Sequence, residues 1–328
     1  MRKSFPVSAI SVFFAALAAF AVITCTQDKT TTIAVIPKGT SHIFWKSVHA
    51  GAKKAGQEKQ IDIIWQGPQK EDDRSMQIEV VQNFISRGVD ALVLAPLDAA
   101  ALVRPVEAAI KRDIKVVIID SDLNSGAYAS FVATDNFAGG KIGAKRLAEF
   151  LPDGAGNVLM MRYNEGSAST TKREEGFLEG LREYAPQATV VSSDQYGGVT
   201  IESSLQAGQN LLNKFEELDG IFCPNESTTQ GMLRALETAG KSGQIRFVGF
   251  DSSEPLLKGL KEEKIHGLVV QNPFKMGYLG VATAVAAING EKVDKRVDTG
   301  VMLITPDNID QPEAQQVISP DIEKWLGK

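Results

Sequence analysis

Polar residues stand where several short apolar runs end, and their side chains suit hydrogen bonding to a small polar ligand. These residues are Asp120, Asn225, Asp251 and Gln271. A carboxylate at the end of a strand accepts two strong, charge-assisted hydrogen bonds from hydroxyl groups, and an amide both donates and accepts. The alternatives are purely local: Asp120 could begin a loop, and Asn225 could cap a helix beginning near Ser227.

An aromatic pair and an arginine extend this set. Phe44 and Trp45 are adjacent at the start of the first predicted helix. Aromatic rings can pack against the C–H groups of a ligand, and Trp45 is expected to face a ligand, whereas the helical spacing of Phe44 and Val48 also suits a core residue. Arg173 offers a planar donor fork, although its charged neighbours also suit a solvated helix face.

The sequence contains no catalytic constellation. No Gly-x-Gly-x-x-Gly follows the first strand, and neither a phosphate-binding Gly-Lys-Ser/Thr loop nor a Gly-x-Ser-x-Gly elbow occurs. The histidines, His42, His49 and His266, lack the spacing of metal ligands. We therefore predict no catalytic residue, no metal and no cofactor.

Alternating strands and helices position these side chains. Strands are predicted at 33–36, 61–65, 91–95, 116–119, 131–133, 157–161, 189–193, 219–223, 245–250 and 266–271. Helices are predicted at 43–59, around 76–85, and at 99–111, 137–150, 168–184, 199–215, 227–239, 254–262 and 273–288. Continuously apolar strands separated by helices indicate parallel sheets covered on both faces. The chain is therefore expected to form two α/β sheets, with a polar stretch after Asp307.

The N-terminus has the pattern of an export signal. Arg2 and Lys3 precede an uncharged stretch, 4–26, with an apolar centre. Because this stretch nearly reaches the roughly 20 residues of a spanning helix, a membrane anchor is the alternative. We assign 1–24 to a signal peptide and 25–32 to a polar tether.

Charge and cysteine content limit the remaining possibilities. Removal of residues 1–24 would lower the formal net charge from −5 to −7, which argues against a nucleic-acid partner. Cys25 follows the apolar run, whereas Cys223 follows a strand-like run and is expected to be a small buried apolar residue. A disulfide between the two is disfavoured, because Cys25 lies in the tether.

Several segments together resemble a known family. They are Phe44-Trp45, 88–96, 132–136, Gly139-Gly140-Lys141, 173–177, 218–225, 248–251 and Gln271. In order and spacing they resemble the ribose/galactose type of periplasmic sugar-binding proteins of ABC importers, a fold shared with the effector domain of LacI-type repressors. The resemblance covers about residues 33 to 305. Cys25 also resembles the lipidated cysteine of bacterial lipoproteins, with Thr24 where a small Gly or Ala is usual.

The resemblance implies a fold and a function. The fold is the type I periplasmic binding protein: two doubly wound parallel-sheet lobes joined by a three-strand hinge. The first lobe would comprise 33–134 and 272–300, and the second 135–271 and 301–311, followed by a C-terminal extension, 312–328. The implied protein is an exported, lipid-anchored monomer in the periplasm or cell envelope. It would capture a small neutral sugar or polyol and deliver it to an ABC-type membrane permease.

The resemblance also assigns binding residues. They are His42, Phe44, Trp45, Asp120, Ser121, Arg173, Asn225, Asp251 and Gln271, with Tyr196 as a further candidate. Ser121 stands where ribose binders usually have Arg. His42 stands at a binding position of the family, where the family has a different side chain. Gly197-Gly198 stands where the family has Phe. Two alternatives remain open: a binding component for chemotaxis or signalling, and an exported α/β enzyme.

Overall fold

The computed structural model describes Met1 and residues 30–327, so the signal peptide, Cys25 and most of the tether lie outside the described residues. The strands, in chain order, are β1 (Thr32–Ile36), β2 (Asp62–Trp65), β3 (Ala91–Leu94), β4 (Lys115–Ile119), β5 (Ser130–Ala133), β6 (Ala155–Met160), β7 (Gln187–Ser192), β8 (Gly220–Phe222), β9 (Arg246–Phe250), β10 (Gly267–Gln271), β11 (Arg296–Asp298) and β12 (Val301–Ile304). The helices are α1 (Ile43–Lys59), α2 (Arg74–Arg87), α3 (Val103–Ile110), α4 (Asn136–Ala148), α5 (Ala168–Tyr184), α6 (Ile201–Lys214), α7 (Glu226–Thr238), α8 (Glu254–Lys261), α9 (Pro273–Ile288), α10 (Pro312–Ile318) and α11 (Glu323–Leu326).

The first sheet is parallel and covered by helices on both faces. Its strand order is β11-β5-β4-β3-β1-β2. Successive strand residues point to opposite faces. Ile33 and Val35 therefore pack with α1 and α9, whereas Ala34 and Ile36 pack with α2 and α3. This double cover explains why the strands are apolar without alternation.

The second sheet repeats this construction, with one difference. Its order is β12-β10-β9-β8-β6-β7, and α4 and α5 cover the face opposite to α6, α7 and α8. Its strands are parallel as predicted, except for β12, which was not among the predicted strands and pairs antiparallel with β10. Only Thr299 and Gly300 separate β12 from β11. The chain leaves the first sheet at its carboxyl edge and directly enters the second sheet at the carboxyl edge that faces it. Strand β12 therefore runs in the direction opposite to the other strands of the second sheet.

The predicted elements occur, with some changes at their ends. The predicted helix 99–111 begins only at Val103, because the Asp98 carboxylate accepts hydrogen bonds from the backbone N–H groups of Ala100 and Ala101 and holds a turn there. Strands β11 and β12 and helices α10 and α11 were not predicted. Cys223 is fully buried in a hydrophobic core, as predicted.

The residues from Thr31 onward form one compact unit that contains both sheets. The chain passes between the sheets after β5, after β10 and between β11 and β12. The C-terminal extension also contacts both halves: α10 packs on the core of the second sheet, and α11 packs on α1. None of the helices in the described part of the chain is long and apolar enough to cross a membrane.

Candidate functional site

Two carboxylates occupy matching places at the carboxyl edges of the sheets. Asp120 directly follows β4 and Asp251 directly follows β9. Their φ angles are 62° and 68°, in the left-handed region that Asp tolerates better than most residues. Both side chains are buried in the space between the sheets. Strained backbone of this kind is concentrated at functional sites.

Asp120 is paired with a lysine that the sequence analysis missed. The Lys38 Nζ lies 2.7 Å from Oδ2 of Asp120, and both side chains are almost completely buried. Lys38 also donates to the hydroxyls of Ser169, at 3.0 Å, and Ser167, at 3.3 Å, on the second half of the chain. Lys38 follows β1, so its position after a strand was the available signal.

Ser121 lies beside this pair but outside the cavity lining. Its hydroxyl donates to the Ser169 hydroxyl at 2.9 Å and accepts from the Ser169 N–H at 3.0 Å. Ser121 is fully buried. It therefore joins the two halves of the molecule directly.

Arg173 points into the cleft with part of its guanidinium group unsatisfied. It is 2% exposed, which excludes the solvated-face alternative. Its Nε donates to Asn136 at 2.8 Å, its Nη1 donates to the Pro224 carbonyl at 3.0 Å, and the group lies 4.1 Å from the ring centre of Phe250. Nη1 is also 3.8 Å from Oδ2 of Asp251. Nη2 has no hydrogen-bond partner.

Asp251 and Gln271 form a second polar group next to Arg173. The Gln271 amide nitrogen donates to Oδ1 of Asp251 at 2.7 Å, and the backbone N–H of Glu226 donates to Oδ2 at 3.0 Å. Burial raises the pKa of Asp251, and the Arg173 charge opposes that shift. Oε1 of Gln271, which is 2% exposed, has no hydrogen-bond partner.

Asn225 caps a helix, which was the alternative to its predicted role in ligand binding. Its side-chain oxygen accepts from the N–H of Thr228 at 3.3 Å and from the Thr228 hydroxyl at 2.6 Å, so it is the N-cap of α7. It also lines the cavity. The cap fixes the first turn of α7, which places Glu226 beside Asp251.

An aromatic wall and a buried glutamate face one another. Phe44 and Trp45 pack edge to face with ring centres 4.9 Å apart. The Trp45 indole N–H donates to Oε1 of Glu71 at 2.8 Å, and the Tyr163 hydroxyl donates to Oε2 at 2.9 Å. Burial and the Glu71 carboxylate raise the pKa of Tyr163 well above its ordinary value, so the hydroxyl remains a donor.

His42 lies between two carboxylates. Its Nε2 is 3.7 Å from Glu71 and 3.3 Å from the Val199 carbonyl, and its Nδ1 is 3.9 Å from Glu226. Burial raises the pKa of Glu226 to about 7. The nearby Asp251 and Glu71 act in the same direction, whereas His42 opposes them. The sequence analysis missed Glu71, Tyr163 and Glu226. Glu71 lies in a charged run after β2, and the other two gave no signal beyond their positions after β6 and β8.

These side chains line a cavity of about 30 Å³ between the sheets. Its lining comprises Lys38, His42, Phe44, Trp45, Glu71, Asp120, Tyr163, Ser169, Thr170, Arg173, Asn225, Glu226, Asp251 and Gln271.

Eight of the predicted binding residues thus meet at one place, whereas Ser121 and Tyr196 do not line the cavity. Tyr196 is 45% exposed, and its hydroxyl accepts from Arg162. Within the described residues no cluster of His, Cys, Asp and Glu could hold a metal ion.

Comparison with known proteins gave consistent matches. The family model "periplasmic binding protein domain" matches residues 33–292. The chain is 29% identical to the ribose import binding protein of Bacillus subtilis, covering 85% of this chain and 88% of that protein. It is 30% identical to the D-ribose/D-allose-binding protein of Pseudomonas aeruginosa, covering 83% and 88%. A carbohydrate transporter solute binding protein of Agrobacterium radiobacter, solved with D-arabinose, superposes with a TM-score of 0.85 at 34% identity, covering 89% of this chain and 99% of that one.

Proposed function

This chain belongs to the periplasmic binding protein family, and on that premise we propose that it captures a small neutral sugar or polyol between its two lobes for an ABC-type importer. One observation carries the proposal. The cavity between the carboxyl edges of the sheets contains a buried donor, Nη2 of Arg173, and a buried acceptor, Oε1 of Gln271, and neither has a protein partner. A ligand hydroxyl satisfies both needs, because it accepts and donates at once.

The charges of the cavity support a neutral ligand over an anion. Lys38 is paired with Asp120, and Arg173 lies against Asp251. The remaining ionisable groups are His42, the Tyr163 hydroxyl, which stays protonated, and the carboxyl groups of Glu71 and Glu226. A sugar phosphate would bring further negative charge into this closed and acidic space, where such repulsion is poorly screened. A neutral sugar meets only hydrogen-bonding groups and the aromatic wall.

The identity of the sugar is left to experiment, and the relatives suggest which sugars to test. Their names refer to ribose, allose and arabinose. Ser121, at the position of the ribose binders' usual Arg, bonds Ser169 instead of lining the cavity. The proposed ligand is therefore a sugar-like compound that need not be ribose.

The proposal includes a closing motion and a location. We place the first lobe at 33–134 with 272–300 and the second at 135–271 with 301–311. The chain crosses from one sheet to the other near these boundaries. Closure would be a hinge motion at the three crossings. We further propose that the protein is exported, is anchored by a lipid on Cys25, acts as a monomer and has no catalytic activity.

A thermal-shift screen followed by isothermal calorimetry tests this function. The ligands are D-ribose, D-allose, D-arabinose, other pentoses and hexoses, polyols and nucleosides, with D-ribose 5-phosphate as the charged comparison. A ligand at 100 times its Kd stabilises the protein by about 2.7 kcal/mol, and at least one neutral compound should do so. The proposal fails if no neutral sugar or polyol binds, or if a sugar phosphate binds more tightly than its neutral parent.

A further inference from the structure

A second cavity adjoins the candidate ligand site. It has a volume of about 40 Å³, and we call it the side compartment. Its lining comprises Ile43, Phe44, Ser47, Asp251, Ser252, Val270, Gln271, Pro273, Val317, Ile318, Pro320 and Ile322. It lies where α1 begins and β10 ends, under the segment 317–322 of the C-terminal extension.

The side compartment shares part of its wall with the main cavity. Phe44, Asp251 and Gln271 line both spaces. Phe44 is half-buried, and its ring is also one side of the aromatic wall. The side chains of Phe44 and Gln271 are therefore the boundary that a substituent on a ligand in the main cavity must cross to reach the compartment.

The chemistry of the two spaces differs. The main cavity is lined mostly by charged and hydrogen-bonding side chains. The side compartment is lined mostly by aliphatic side chains and prolines, and those of Val317, Ile318, Pro320 and Ile322 are only half-buried. When a ligand covers this partly exposed apolar surface, the free energy of binding becomes more favourable by about 25 cal/mol per Å² of surface covered.

Two buried polar atoms in the lining of the side compartment remain unsatisfied. The Ser47 hydroxyl, on a residue 4% exposed, and Oε1 of Gln271, on a residue 2% exposed, have no hydrogen-bond partner. Gln271 lines both spaces and Ser47 lines the side compartment. Unpaired buried polar groups are costly and normally have a partner. An ether or glycosidic oxygen can accept a hydrogen bond from the Ser47 hydroxyl, whereas Oε1 of Gln271 is an acceptor and needs a hydroxyl of the ligand as its donor.

We propose that the ligand is a sugar or polyol bearing a short apolar substituent, joined through oxygen, and that the substituent lies in the side compartment. This inference rests on the proposed function, because the sugar part occupies the main cavity. The competing occupant is ordered water bridging Ser47 and Gln271, which would leave the protein specific for unsubstituted sugars.

The test is calorimetry with mono-O-methyl and mono-O-propyl ethers of D-ribose, D-allose and D-arabinose, each hydroxyl substituted in turn. For a sugar that binds, one position should accept the propyl group, with binding about tenfold tighter than for the methyl ether at that position. The basis is about 0.8 kcal/mol for each of two additional buried CH₂ groups. At the other positions the propyl group should weaken binding by at least about tenfold, because it displaces a hydrogen-bonded hydroxyl.

Variants of the C-terminal extension locate the substituent. Ile318→Trp fills the compartment and should lower the preference for the propyl over the methyl ether at least about tenfold. The control Gln316→Trp, on an exposed side chain of the same helix, should keep the preference. If Ile318→Trp does not fold, Ile322→Ala removes apolar contact and should reduce the preference.

The outcomes separate this inference from the function on which it rests. If free sugars bind and every propyl ether is rejected, the compartment holds only water and the inference is wrong, while the proposed function stands. If a propyl ether is preferred equally by wild type and Ile318→Trp, the substituent lies elsewhere and the inference is also wrong. If neither free sugars nor ethers bind, both proposals fail.

Discussion

The Tyr163 hydroxyl donates a hydrogen bond of 2.9 Å to Oε2 of Glu71, joining residues that follow strands of opposite sheets. Neither group faces water, since Tyr163 is 2% and Glu71 8% exposed. The bond can exist only while the cleft is closed. It therefore stabilises the closed form directly, in addition to whatever a ligand contributes.

Loss of this bond should loosen the closed form. Tyr163→Phe keeps the ring and leaves Oε2 of Glu71 buried without its donor, at a cost of about 1–3 kcal/mol. We expect the Kd for a bound sugar to rise about tenfold, mainly through faster release, as measured by stopped-flow fluorescence and calorimetry. Tyr184→Phe, at a side chain 37% exposed, is the matched control. Unchanged release from Tyr163→Phe would mean that this bond does not hold the cleft shut.

Replacement of Asp120 or Asp251 by asparagine should weaken sugar binding about tenfold or more, as calorimetry can measure. Asparagine preserves shape and tolerates positive φ, so it removes the charge while leaving the backbone unstrained. The alanine variants should in addition lower the melting temperature, because φ at these positions is 62° and 68°. Arg112→Ala, on an exposed side chain far from the cavity lining, should bind like wild type. Wild-type affinity of both asparagine variants would show that the site is misplaced.

Sugar affinity should depend on pH through Glu226. Its pKa is raised from 4.5 to about 7 in the closed cleft, by burial first and then by Asp251 and Glu71, with His42 opposing. We expect the ordinary value in an open, solvated cleft. Between pH 4.5 and about pH 7, Glu226 is therefore protonated in the closed form but ionised in the open form. A low pH consequently favours closure, and this preference is lost as the pH rises through 7.

Calorimetry between about pH 5 and pH 8 checks this prediction. Affinity should fall about tenfold or more up to about pH 7 and then level off. Glu226→Gln should flatten this profile, whereas the exposed Glu217→Gln should retain it. An unchanged profile in Glu226→Gln would assign the pH dependence to another group.

Membrane attachment should depend on Cys25, which follows the apolar N-terminal run. Cys25→Ser should move the protein from the membrane fraction to the soluble fraction and remove the lipid detected by mass spectrometry, whereas Thr26→Ser should change neither. A wild-type protein that is soluble and carries no lipid would refute the anchor.

The fold could be predicted because its signals are local. Strands such as β3 and β4 are continuous apolar runs, and helices such as α1 and α9 show regular apolar spacing, so their positions follow from the sequence. Strand β12 could not be predicted in the same way, since its antiparallel direction depends on how the two sheets face each other.

The candidate site was predictable only in part. Asp120, Asp251 and Gln271 stand at strand ends, where parallel sheets bind ligands. Glu71 lies in a charged run that suggests a solvated loop, and it is buried only because Trp45 and Tyr163 donate to it from two different parts of the fold. Tyr196, in contrast, was a further candidate for ligand binding but packs beside Arg162 at the surface.

Small-angle X-ray scattering with and without the sugar identified by calorimetry tests whether the two lobes close around a ligand. We expect a smaller radius of gyration at saturation, because the lobes close around the ligand at the three crossings. An unchanged radius of gyration at full occupancy would contradict capture of the ligand between two closing lobes.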